Sequence, residues 1–157
     1  MKITKGIVAL ILVSSLISCK DDVEIPLSKR ATYDVIQTEI WDTQCISCHV
    51  TGSSFAKQSN LILTADISYD QLVNRAPDNK QALADGLELV GTEGLPSVYT
   101  SFLWEKINVN DLEHFYEDHP LYGAIMPLGG DFLTNGQLEF IREWIKEGAP
   151  AAGVVAD

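Results

Sequence analysis

The segment Cys45-Ile46-Ser47-Cys48-His49 constrains this chain more than any other feature. It spends two of three cysteines and one of three histidines within five positions. Two thiols at this spacing add across the two vinyl groups of one haem, and the next residue turns an imidazole toward the iron from the same side. Three other chemistries compete for the pattern. A thioredoxin-like redox pair follows a strand and opens a helix, whereas the residues before Cys45 read as helix. A structural zinc site needs a fourth ligand beyond Cys45, Cys48 and His49, and no second cysteine pair supplies it. Two idle thiols in an exported domain are the bland alternative.

The amino terminus bears on that choice. Lys2 and Lys5 precede an apolar run, Gly6 to Leu16, and then Leu16-Ile17-Ser18-Cys19. A basic start, a short apolar core and small residues are the pattern of a secretory signal. The run falls short of the roughly 20 residues that span a bilayer. Leu16 to Cys19 resembles the lipobox of bacterial lipoproteins, which implies cleavage after residue 18 and a lipid on Cys19. Lys20-Asp21-Asp22 resembles the surface-export signal of lipoproteins in Bacteroidota, so both the periplasmic and the surface-exposed face of the outer membrane stay open. Attachment of haem to cysteine pairs takes place outside the cytoplasm. Spacing, compartment and cysteine usage therefore agree on one covalently bound haem c.

Charge limits the partners. The chain carries 11 Lys and Arg against 22 Asp and Glu, a net charge of −11, and cleavage before Cys19 makes it −13. Such a chain does not suit nucleic acid, whose phosphates require Lys and Arg. It does not suit anionic headgroups either, so the membrane is reached through lipid. It suits a redox protein with a basic docking patch.

The expected organisation is a removed signal at 1–18, a lipidated tether at 19–27, one domain at 28–150 and a tail at 151–157. The fold class is mostly α, with four or five short helices and no alternating strand pattern. The first helix runs from about Ser28 or Thr32 to Gln44 on the Ile36, Ile40 and Trp41 face. Residues 51–59 read as a Gly- and Ser-rich loop. Ser68-x-x-Gln71 and Thr134-x-x-Gln137 both have the form of a capping box, opening helices at 69–75 and after Thr134. Residues 76–96 look like an irregular insertion with a helical turn near Gln81 to Leu87. Another helix starts at Ser97 or Ser101. In the last helix Leu138, Ile141 and Ile145 form an apolar stripe, ended by Gly148 and Pro150.

A haem that carries electrons takes a thioether or a second imidazole opposite its histidine. After the initiator the chain has a single methionine, Met126, stiffened by Pro127 in a loop before the last helix. His114 and His119 are its rivals, but they lie among Asp111, Glu113, Glu117 and Asp118, which reads as a solvated face. A separate metal site built from those acids and histidines is a weaker reading.

Taken together, Cys45 to His49 after a helix, Met126-Pro127 before the last helix, and its ending Glu-Trp-Ile-Lys-Glu-Gly-Ala-Pro resemble small monohaem cytochrome c domains over about residues 30–150. The resemblance implies a cytochrome c-like fold whose first and last helices cross near the haem. It implies Cys45 and Cys48 as attachment sites, His49 as proximal ligand, Met126 as distal ligand and Trp144 at the crossing. Related domains orient the proximal histidine with a carbonyl at a Gly-Pro some ten residues on. Here no proline follows until Pro77, so the acceptor for the second ring nitrogen of His49 is unassigned. The implied role is an electron carrier in the cell envelope rather than an enzyme. The alternative is a small-ligand sensor or peroxidase-like protein with an exchangeable sixth ligand, in which Met126 leaves the iron. A third possibility is a haem domain serving as a subunit of a larger assembly.

Overall fold

The computed structural model describes residues 33–152. The signal, Cys19, the tether, the first residues of the expected domain and most of the tail lie outside them.

The first helix, α1 (Tyr33–Ile36), continues without a break as a π-helical stretch (Gln37–Cys45). Its last i→i+5 bond runs from the Ile46 amide to the Trp41 carbonyl at 2.9 Å. Tyr33, Ile36, Gln37, Ile40 and Trp41 are all buried on one face. Gln37 is the polar member of that face, and its bonds explain its burial. It donates to the Leu63 carbonyl (2.9 Å) and accepts from Ser68 Oγ, which in turn takes the Tyr33 hydroxyl at 2.7 Å. This buried chain ties the first helix to the segments around residues 63 and 68.

Seven further α-helices follow among the described residues: α2 (Ser54–Ser59), α3 (Ser68–Leu72), α4 (Lys80–Ala84), α5 (Leu95–Thr100), α6 (Phe102–Ile107), α7 (Leu112–Asp118) and α8 (Asn135–Lys146), with a 3-10 turn at Val109–Asp111. The mostly helical class is as expected. The number of pieces is larger than four or five, because polar side chains start and stop short helices inside stretches that read as loop. Residues 51–59 illustrate this. Ser53 accepts from the Ala56 amide at 3.0 Å and caps α2 where a loop was expected. Asn79 caps α4 by accepting from Gln81 and Ala82. Ser101, extended and fully buried, separates α5 from α6 and donates to the Ser97 carbonyl.

The two expected capping boxes part ways. Thr134 and Gln137 form both reciprocal bonds. Ser68 forms none, since it lies inside α3 and its hydroxyl is committed to Gln37 and Tyr33.

The segment 76–96 contributes to the core. Ala82, Leu89 and Val90 are buried in the core. Leu89 donates to the Arg75 carbonyl and accepts from the Leu103 amide, and the Asn74 amide bonds to Val90. Isolated parallel bridges at Val73–Val90 and Glu88–Ser101 complete the lattice, and the described residues contain no longer strand.

Helix α8 organises the core. Leu138, Ile141, Trp144 and Ile145 are essentially inaccessible, and the helix packs on α5 and α1. Each such burial contributes about 1.5–3 kcal/mol. Trp144 lies 5.3 Å from the Tyr33 ring and donates to the Pro150 carbonyl. The helix ends in a Schellman pair, Gly148 N–H to Ile145 and Ala149 N–H to Trp144, with Gly148 at φ +88°. Among the described residues no helix is long and apolar enough to cross a membrane.

Candidate functional site

A largely apolar cavity of about 550 Å³ opens between the end of the π-helical stretch, α6 and the loop 122–133. That volume is typical of a site for a small molecule or cofactor. Cys45, Cys48 and His49 are among its lining residues, and so are Met126, Pro127 and Leu128. Trp41, Leu89, Phe102 and Leu103 supply apolar wall. Phe55 and Leu128, both substantially exposed, stand at its mouth.

The motif is shaped by its own backbone. The amides of Cys48 and His49 both return to the Cys45 carbonyl, at 3.1 and 2.9 Å. This tight turn brings both thiols and the imidazole to one cavity. Ser53 Oγ donates to the Cys48 carbonyl while capping α2, so α2 buttresses the turn. Neither cysteine is in a disulfide. Burial, then the neighbouring Cys48, pushes the Cys45 thiol up to about 12.

His49 is held from two sides. Its Nδ1 lies 3.1 Å from the Leu61 carbonyl, and its own carbonyl accepts the Leu63 amide at 2.8 Å. A carbonyl can only accept, so Nδ1 is the donor there, and in the neutral imidazole the free lone pair lies on Nε2. Leu61 is thus the acceptor that the missing Gly-Pro left unassigned. Ser59 Oγ, at 3.5 Å from Nδ1, adds little.

Met126 is fixed by Lys106. The Met126 amide donates to the Lys106 carbonyl at 2.6 Å. The Lys106 ammonium donates to the carbonyls of Tyr122 (3.0 Å) and Ala124, and lies over the rings of Phe102 and Phe115. Burial lowers the Lys106 pKa to about 8. Nothing in the sequence marks Lys106 as a loop clamp, because the role exists only once the loop folds over it.

His114 and His119, the rivals of Met126, are not in the cavity wall. His119 stacks on Tyr122 (4.3 Å, 7°) and His114 is exposed. Trp144 is not in the wall either. It sits where α1 meets α8, and Trp41 is the tryptophan at the cavity.

The residues fit a haem. An apolar space holds two free thiols, an imidazole with an available Nε2 and a thioether. Gln44, on the same wall, has a buried amide oxygen with no hydrogen-bond partner among the described residues. No family model, curated protein or solved structure matches the chain.

Proposed function

We propose that this chain is an electron carrier, a monohaem c-type cytochrome with a cytochrome c-like fold. Cys45 and Cys48 would hold the haem, and His49 and Met126 would bind its iron. The observation that carries the reading is the convergence of a Cys-x-x-Cys-His turn and a distant methionine on one apolar cavity. Haem supplies reversible one-electron exchange at iron, and the chain supplies everything else.

Cys45 and Cys48 tether the group. Leu61 fixes the His49 tautomer and makes Nε2 the better donor. Lys106 sets the depth of the Met126 loop. With a thioether and an imidazole as its ligands, the iron would favour the ferrous state more than with two imidazoles. Trp41, Phe102 and Leu103 keep water out, while the mouth at Phe55 and Leu128 leaves a route for electrons. The partner is a redox protein with a basic patch facing this acidic surface, met through a small transient interface. With lipid on Cys19 the encounter takes place at the cell envelope, on the outer membrane.

The test is the visible spectrum of protein matured in a host that attaches haem c, reduced with dithionite, with and without carbon monoxide. Sharp low-spin bands indifferent to the gas, with haem that stays on the denatured chain, support the carrier. Bands that shift with the gas favour a sensor or peroxidase-like protein. Absence of covalent haem ends the reading. Met126→Ala should keep the covalent haem, lose the sulfur-to-ferric-iron band and begin to bind the gas.

A further inference from the structure

Away from the cavity, α6 and α7 bring three ligand-type side chains together. Glu105 Oε, one nitrogen of His114 and one of His119 lie within 4.8 Å of one another. We propose that Glu105, His114 and His119 form a second metal site, one that takes a divalent first-row transition ion such as zinc and leaves coordination positions open.

Four observations carry it. His114 Nδ1 is 2.8 Å from the Asp118 carboxylate. The Nδ1 proton is thereby committed and Nε2 is left as the donor, the carboxylate–histidine arrangement found behind zinc ligands. That Nε2 lies 3.8 Å from Glu105 Oε2, too far for a hydrogen bond. Two ligand atoms on a tetrahedral zinc with bonds near 2.0–2.1 Å are about 3.3 Å apart, so the gap needs only a small closure. Glu105 is 14% exposed, and among the described residues its carboxylate takes no hydrogen bond. A cation between it and the two histidines would give this half-buried carboxylate a partner. Finally, His119 is held rigid by Tyr122, stacked on one face, and by His114, edge-on at 4.8 Å.

The ligand set decides the class of ion. Two imidazoles and one carboxylate suit zinc, copper, nickel or iron, whereas calcium and magnesium want oxygen alone. Three protein ligands leave room for water or a small ligand. His119 also lines a pocket of about 380 Å³, together with Asp85, Asp118 and Leu121.

The test uses the full chain after treatment with N-ethylmaleimide, which blocks any free thiol at Cys45 and Cys48. Zinc chloride is titrated by calorimetry, and the zinc-loaded protein is examined by X-ray absorption. One saturable ion per chain with imidazole and oxygen neighbours and no sulfur is expected. His114→Ala and His119→Ala should abolish binding. Asp118→Asn, which alters the carboxylate behind His114 Nδ1, should weaken it about tenfold. His114 is exposed, so its loss leaves the core intact. No saturable binding by the wild-type chain, or equal affinity in His114→Ala, overturns the site. None of these readouts depends on haem.

Discussion

His49 shows how a single atom decides what a side chain does. Imidazole has two nitrogens, and the Leu61 carbonyl accepts the hydrogen bond of one. The other is left free of that bond. The acceptor is a backbone atom twelve residues on, so its identity leaves no mark on the side-chain sequence. Tyr33 obeys the same logic of committed polar atoms. Its hydroxyl is buried against Ser68, and burial pushes its pKa up to about 12. A tyrosine in the unfolded chain ionises near 10. The folded chain therefore holds a proton that the unfolded chain gives up. The stabilisation is complete below pH 10 and lost as pH rises from about 10 to about 12. Tyr33→Phe should flatten the fall in stability across that window, while costing about 1 kcal/mol at neutral pH for the lost hydrogen bond. Urea melts at a series of alkaline pH values measure this. An unchanged slope would place the proton elsewhere.

At the scale of the element, ends matter more than interiors. Gly148 sits at φ +88° and a Cβ there would approach the Thr92 carbonyl at 3.2 Å. Gly148→Ala should cost about 1–2 kcal/mol in thermal or urea melts, the penalty of a side chain in the left-handed region. Thr134→Ala removes one half of a formed capping box and should cost about 1 kcal/mol. By contrast Ser68→Ala should act through the core, by stranding Gln37 and Tyr33, and leave the start of α3 intact. A larger loss than for Thr134→Ala is expected, because the stranded atoms are buried. That pair also marks what a sequence can tell. Helix α8 was legible in full, with its cap, apolar stripe and terminating glycine, because each signal is local. The box at Ser68 does not form, because a distant glutamine claims the same hydroxyl. Helix α2 was hidden in a Gly- and Ser-rich stretch whose Ser53 turned out to be a cap. Of the candidate site, Cys45, Cys48, His49 and Met126 were legible as residue types. The carbonyl on His49, the clamp on Met126 and the pairing of Glu105 with His114 and His119 were not, since each joins positions that only folding brings together.

Across the whole molecule the cavity has two walls with separate supports. The Cys45–His49 wall is held by Leu61, Leu63 and Ser53, all close in sequence. The Met126 wall hangs on Lys106, whose ammonium collects two carbonyls of the loop and whose own carbonyl takes the Met126 amide. The proposed axial ligands thus differ in how firmly they are seated, and the difference is testable. Lys106→Met keeps the backbone bond and most of the apolar stem but strands the carbonyls of Tyr122 and Ala124. Each stranded group costs about 1–3 kcal/mol, less where water can reach it, so a net loss of about 2 kcal/mol is expected in denaturant melts. In haem-loaded protein the loop should loosen while the covalent bonds and His49 stay. The reduced variant should then bind carbon monoxide that the parent excludes, with its covalent haem content unchanged. Lys57→Met, on the exposed face of α2, serves as the control and should do neither. If Lys106→Met matches the parent in both stability and gas binding, the ammonium is not what seats Met126, and the support must lie in the backbone bond alone.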